Sequence, residues 1–161
     1  MTTEEIIEKI TSRDAHKVWE SACEIIKSGQ DYYTIAPLID YLPIIKSGTV
    51  DLDMGGLLAP NQRFIDFAIA TIEFHESTKK CSCALYTKKF RVTNDAFKRE
   101  IQYEGFNPIK EAENGNIKIL DTIYINDGWI DYYLAECKKC KMHYKVEERE
   151  GHFMFWKWMK I

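Results

Sequence analysis

Residues 130–148 read IDYYLAECKKCKMHYKVEE, and this stretch predicts two strands joined by a metal-binding turn. Met142, Tyr144 and Val146 alternate with polar residues, which is typical of a half-buried strand. Cys137 and Cys140 have the C-x-x-C spacing of zinc turns, since two thiolates at this spacing can face one ion. We therefore expect the C-terminal half to be organised around a cysteine turn at the tip of a hairpin.

A second cysteine pair completes a candidate metal site. Cys81 and Cys83 lie more than fifty residues upstream of the C-x-x-C turn. Two close pairs predict one closed site of four thiolates, and tetrahedral sulfur favours a structural zinc ion. In the alternatives, His143 or His152 replaces one thiol, or the thiols are unbound or regulatory. The predicted metal ligands are Cys81, Cys83, Cys137 and Cys140.

The fifth cysteine is not a predicted metal ligand, and a redox role for the C-x-x-C turn is not favoured. Cys23 stands alone in an apolar helical pattern, so it is expected to be a small buried residue. A redox C-x-x-C motif would begin a helix, which lowers a thiol pKa. The Cys137 turn is instead predicted within a hairpin, so metal binding is the favoured interpretation.

The remainder of the C-terminal half predicts an antiparallel meander. Isoleucines alternate with mostly polar residues over 117–125, and residues 129–136, 141–148 and 152–159 are three further strands. Asn114-Gly115 and Asp127-Gly128 are turn signals. Upstream of the meander we expect a strand within 81–90 and a short helix over 95–103.

The N-terminal half predicts helices over 3–10, 13–28, 31–46 and 61–77. Ser12, Thr34 and Asn61 are candidate caps, and Pro43 predicts a break near 41–43. The last of these helices is apolar nearly all round, so it is expected to be the most buried. The predicted fold is α+β: a three- to four-helix layer (1–78), then a β-meander with a zinc-ribbon-like cysteine site (79–161).

The composition predicts a globular protein without a membrane-spanning helix. The chain has 161 residues, of which 45% are hydrophobic and 29% charged, as expected for a globular protein that forms one compact domain or two small subdomains sharing a core. It has no apolar run of about 18 residues and so predicts no membrane helix. Its acidic start, Met1-Thr-Thr-Glu-Glu, does not resemble a signal peptide. We expect a cytoplasmic protein.

Charge is divided unevenly along the chain. Residues 1–76 contain 13 acidic and 6 basic residues, a net −7, and the remainder has a net charge of +4. An acidic half can attract a basic partner, or it can be a solvated surface. The residues predicted to contact a partner are Asp31, Asp40, Asp51 and Asp53.

Motifs of common enzymes are missing from the sequence. It has no phosphate-binding loop, no Gly-x-Ser-x-Gly elbow and no dinucleotide fingerprint. His75-Glu76 begins a zincin motif, but the second histidine is absent because position 79 is Lys79. We predict a protein that is not an enzyme.

Three stretches carry a resemblance to a family. They are SRDAHKVW (12–19), GGLLAPNQRF (55–64), and the CSCALY (81–86) and CKKC (137–140) arrangement that ends in FWKW (155–158). The chain resembles immunity proteins of bacterial polymorphic toxin and contact-dependent growth inhibition systems. The resemblance implies a cytosolic protein that binds and neutralises one cognate toxin, and many such toxins are basic nucleases.

Two other functions fit the sequence. Lys138, Lys139, Lys141 and Lys145 surround the cysteine turn, near Tyr144, Trp156 and Trp158, and basic residues among aromatics can bind nucleic acid. This zinc-ribbon alternative is less favoured, because the whole chain is acidic and the aromatics are expected to pack the sheet. A third alternative is an adaptor subunit of a larger enzyme.

Overall fold

The computed structural model describes residues 1–55, 61–93, 98–126, 128–151 and 153–161. In this part of the chain helices come first and a four-stranded antiparallel sheet comes last, which confirms the predicted α+β fold. The elements are α1 (Thr3–Ile10), α2 (Ala15–Ser28), α3 (Tyr32–Ile39), α4 (Leu42–Thr49), α5 (Gln62–Ser77), a 3-10 helix (Ser82–Thr87), β1 (Lys89–Arg91), β2 (Glu100–Gln102), α6 (Pro108–Glu113), β3 (Ile117–Tyr124), β4 (Ile130–Cys137), β5 (His143–Glu150) and β6 (Met154–Lys160).

The chain forms two compact units. One comprises Met1–Leu85 and Phe90–Ile101, and the other comprises Tyr86–Lys89 and Gln102–Ile161. In the first unit α5 packs against α2, α3 and α4, and its Ile65, Phe67 and Ile72 are fully buried. The apolar character of α5 on most of its sides explains this central position.

Helix α2 begins differently from the prediction. Its cap is Asp14, whose carboxylate accepts hydrogen bonds from the backbone N–H groups of His16 and Lys17, both at 3.0 Å. Ser12, the predicted cap, lies two residues earlier and its hydroxyl accepts from the Asp14 N–H at 3.3 Å. A carboxylate is favoured at this position because it also interacts with the positive end of the helix dipole.

Helices α3 and α4 divide the predicted segment 31–46. Asp31 caps α3 instead of Thr34, so Pro37 lies inside the helix rather than in its first turn. The predicted break near 41–43 is confirmed, since α3 ends at Ile39 and α4 begins at Leu42.

The segment between the helices and the sheet differs most from the prediction. A 3-10 helix replaces most of the strand predicted within 81–90. Of the helix predicted over 95–103, residues 95–97 lie outside the described residues, and Glu100–Gln102 is a strand. Helix α6 was not predicted. It begins with an Asn107 cap and Pro108, so Asn114-Gly115 ends a helix rather than turning a hairpin.

The predicted meander is confirmed in the second unit. The strand order is β3-β4-β5-β6 and all three pairings are antiparallel. Tyr133 lies opposite Val146, which lies opposite Trp158, so one face of the sheet is buried. Asp127 of the predicted turn and the candidate ligand His152 lie outside the described residues.

Candidate metal centre

The C-x-x-C turn joins β4 to β5 through a hydrogen-bonded loop. Cys137 is the last residue of β4, and its N–H donates to the Met142 carbonyl at 2.8 Å. The Lys141 N–H donates back to the Cys137 carbonyl at 3.0 Å, and the Lys138 N–H donates to the Asn116 carbonyl at 3.1 Å. These three hydrogen bonds fix the backbone conformation of the turn that contains Cys137 and Cys140.

Lys141 adopts an unusual conformation within this turn. Its φ of 66° lies in the left-handed region, which costs a residue with a side chain about 1–2 kcal/mol. Such a conformation persists where surrounding contacts determine it. The surrounding hydrogen bonds therefore determine the shape of this turn, because the left-handed backbone is itself unfavourable for a lysine.

The second cysteine pair lies at the start of the 3-10 helix. The Ala84 N–H donates to the Cys81 carbonyl at 3.0 Å, which closes the first 3-10 turn. The Ser82 carbonyl accepts a buried hydrogen bond from the Gln30 side chain at 3.3 Å. Cys83 is 4% exposed and the following Leu85 is fully buried. Cys83 therefore lies in the 3-10 helix, and Cys81 immediately precedes it.

The four predicted cysteines come together. The sulfur atoms of Cys81, Cys83, Cys137 and Cys140 all lie within 4.8 Å of one another, so this group could hold a metal ion. A tetrahedral site with metal–sulfur bonds of about 2.3 Å separates its sulfurs by about 3.8 Å. Ligation would therefore need each sulfur to move by about 1 Å or less, which small rotations of the side chains can supply.

His143 lies outside this sulfur group. Its Nε2 is 3.3 Å from an Oε atom of Glu136, and the Lys141 Nζ is 3.2 Å from the other. The hydrogen bond from His143, with that from Lys141, lowers the pKa of the Glu136 carboxyl. Among the described residues the candidate ligands are thus four thiols, and a histidine is not one of them.

The four predicted contact residues are all exposed. Asp31 caps α3, and Asp53 accepts a hydrogen bond from the Gly55 N–H at 2.9 Å. Asp40 follows the last turn of α3, and Asp51 has a φ of 53°. All four lie in the helical unit, and two of them also shape their local backbone.

Two of the three aromatic residues predicted to lie near the lysine-rich turn are not available for stacking, and the third, Trp156, is half-buried. Lys138, Lys139 and Lys141 are exposed, but Tyr144 and Trp158 are at most 1% exposed in the core. A base could not stack on those two rings without unfolding the sheet.

Sequence reasoning missed a set of exposed apolar side chains in α3 and α4. Tyr33 is 85% exposed, and Tyr32, Tyr41 and Ile44 are between 41% and 52% exposed. The spacing of Tyr33, Pro37 and Tyr41 at intervals of four could have predicted a shared helical side.

Comparisons with family models, curated proteins and solved structures found no match. Within the described ranges, the helices lack the combination of length and apolar character that crossing a bilayer requires.

Proposed function

We propose that this chain is a non-enzymatic immunity protein that binds a basic toxin domain in the cytoplasm, and that its four cysteines hold one structural zinc ion. The observation that carries the binding role is the exposure of Asp31, Asp40, Asp51 and Asp53 on a helical unit rich in acidic residues. Complementary charge accelerates association and selects among partners.

Zinc is the ion that suits this donor set best. Four thiolates form a soft, tetrahedral site, and a site closed by four protein ligands has no position open for a substrate. The role assigned to the metal is therefore to stabilise the fold. Cys81, Cys83, Cys137 and Cys140 would each supply one thiolate, which a reducing cytoplasm preserves.

The test uses the tagged chain as bait in its native host, with and without nuclease treatment and at high salt. Mass spectrometry identifies what is retained, and the partner is then expressed with and without this chain. The proposal expects one stoichiometric protein that survives nuclease and salt, and whose toxicity this chain suppresses. A retained partner that stays equally toxic in its presence would contradict the proposal.

A pair of charge-removing substitutions tests the acidic surface itself. Asp40→Asn with Asp51→Asn removes two exposed charges, and asparagine tolerates the left-handed backbone at position 51. The expected result is slower association with the partner at low salt. Glu113→Gln with Glu150→Gln removes the same charge from exposed positions of the other unit and should leave the association rate unchanged.

The second candidate function is a zinc-ribbon module that binds nucleic acid. It is favoured by the exposure of Lys138, Lys139 and Lys141 around the cysteine turn. Its affinity would fall steeply with salt and would be lost when the three lysines become glutamates. Recovery of nucleic acid in the pull-down, lost on nuclease or salt treatment, would favour this candidate.

A further inference from the structure

The described part of the first unit has an exposed apolar and acidic surface on α3 and α4. The α3–α4 face is defined here by five residues: Tyr33, Pro37, Asp40, Tyr41 and Ile44. All five are exposed, and Tyr33 reaches 85%. Contiguous exposed apolar surface of this kind often marks an interaction site.

The backbone places these side chains on one side. Asp40 and Tyr41 keep right-handed helical angles after α3 ends, so positions 33, 37, 40 and 41 follow one helical side. Ile44 is three residues beyond Tyr41, in the first turn of α4. The opposite side is fully anchored, since Ile35, Leu38 and Ile45 have no exposed surface.

The exposed Tyr33 ring is held in place before any partner arrives. The Tyr33 ring packs edge-on against the Tyr32 ring at 5.8 Å, and the Tyr32 ring lies 5.8 Å from the His75 ring. His75 is buried, and its Nε2 is 2.8 Å from the Gly29 carbonyl oxygen. A preorganised tyrosine loses little freedom on binding, which is why tyrosine is enriched at binding hot spots.

The charge near this face is negative. Residues 31–55 contain four aspartates and a single basic residue, Lys46. The Lys46 ammonium is paired with Glu73 at 2.7 Å, so it does not offset the aspartates. Within the described residues the Asp40 carboxylate has no hydrogen-bond or ion-pair partner. The face thus combines exposed tyrosine rings with an available carboxylate.

We infer that the α3–α4 face docks an arginine-rich surface of the partner protein. A guanidinium group stacks flat on a tyrosine ring and pairs with a carboxylate through a planar fork of N–H groups, whereas an ammonium group can lie over a ring but has no such fork. This inference deepens the proposed function, and rests on it in taking the natural partner to be a basic protein. It adds the contact residues and the chemistry of the surface that they recognise.

The test titrates the isotope-labelled full chain with a nona-arginine peptide and follows amide shifts by NMR at low and physiological salt. The expected result is saturable shifts over residues 31–47. Tyr33→Ala with Tyr41→Ala should weaken binding roughly tenfold, Asp40→Asn should weaken it less, and nona-lysine should bind more weakly than nona-arginine. Tyr124→Ala, which removes a 61% exposed ring from β3, is the matched control and should change nothing.

Shifts spread over acidic residues throughout the helical unit, with equal affinity in the double tyrosine variant, would overturn the inference. So would a failure to saturate. The titration does not require a toxin, so the two proposals can fail separately. If this chain suppresses the toxicity of its partner but nona-arginine does not bind the α3–α4 face, only the docking inference is rejected. If nona-arginine binds the face but no toxic partner is suppressed, only the immunity function is rejected.

Discussion

Tyr86 and Trp158 stack with their ring centroids 4.1 Å apart and their planes inclined by 20°. Both side chains are buried, and the Trp158 indole N–H donates to the Phe106 carbonyl at 2.9 Å. The Tyr86 hydroxyl donates to the buried carboxylate of Glu111 at 2.6 Å. One stacked pair therefore joins β6 to the 3-10 helix, and one hydroxyl joins that helix to α6.

Truncation of this pair should destabilise the second unit strongly. Trp158→Ala removes a fully buried indole and should cost about 3–5 kcal/mol in the free energy of unfolding. Urea denaturation followed by far-UV circular dichroism measures the loss. Trp129→Ala removes an indole that is 60% exposed, so it should change the stability by less than about 0.5 kcal/mol. Equal costs for the two substitutions would contradict the packing described.

The Tyr86 hydroxyl can be tested apart from the ring. Tyr86→Phe keeps the stack on Trp158 but removes one hydrogen-bond donor to the buried Glu111 carboxylate. The Asn116 side chain, which donates to the same carboxylate at 2.8 Å, remains. The expected cost is about 1–3 kcal/mol. In a Glu111→Gln background the same substitution should cost less, because the charged acceptor is gone. A Tyr86→Phe protein as stable as the parent would show that the hydrogen bond contributes nothing.

Metal removal should unfold the cysteine site. We expect about one zinc ion per chain by elemental analysis, and a large fall in thermal stability after chelation, since ligand binding adds to folding free energy. Cys137→Ser and Cys83→Ser should each abolish zinc binding, and affinity should fall in acid as protons compete for the thiolates. Cys23→Ser is the matched control and should retain the full zinc content. Unchanged unfolding of the metal-free protein would exclude a structural role.

Cys23 should be the slowest thiol to react in the metal-free protein. Burial raises the pKa of its thiol to about 11, against an ordinary value of 9.0. At pH 8 it is therefore thiolate about one hundredth as often as an ordinary thiol, and the thiolate is the reactive form. Mass spectrometry after timed alkylation should find Cys23 labelled last, with a rate that rises with pH toward 11. Cys23 is half-buried in α2 rather than fully buried as predicted, and early labelling in the folded chain would contradict the raised pKa of its thiol.

Regular periodicity explains which parts of the fold could be predicted. Ile6 and Ile10 define the buried side of α1, and the alternation around Tyr144 and Val146 defines β5, so both elements follow from local pattern. The 3-10 helix at Ser82 has no comparable period, and a strand was predicted within 81–90 instead. Helix α6 spans only six residues, although its Asn107-Pro108 start is a recognisable helix signal.

The candidate site was predictable in its members but not in its geometry. Cysteine spacing identified each pair, because both thiols of a pair are brought together by one short turn. The convergence of Cys83 with Cys137, about fifty residues later, depends on tertiary packing, which local pattern does not encode. The exposed side of α3 was not predicted, because local pattern does not show that only Ile35 and Leu38 of this helix are buried and that Tyr33 and Pro37 face solvent.

The cap of α2 gives a prediction that depends on pH. The hydrogen bond from the Lys17 N–H, followed by that from His16, lowers the pKa of the Asp14 carboxyl below its ordinary value of 3.8. A lowered folded-state pKa means that the cap stabilises the fold above the unfolded pKa, and that this contribution disappears as pH falls through the folded pKa. Asp14→Ala should therefore lower the melting temperature by a few degrees at neutral pH, with a smaller difference from the parent in acid.

Two variants separate the cap from its neighbours. Asp14→Asn keeps a capping side chain that does not titrate in this range, so its stability should lose the acid dependence while most of the helix start is preserved. Ser12→Ala should have a smaller effect on the start of α2 than Asp14→Ala, because the Ser12 hydroxyl accepts from the Asp14 N–H at 3.3 Å and donates to the Lys9 carbonyl of α1 at 2.7 Å. If Ser12→Ala reduced helical order at the start of α2 as much as Asp14→Ala does, the serine would be the true cap and α2 would begin two residues earlier in solution.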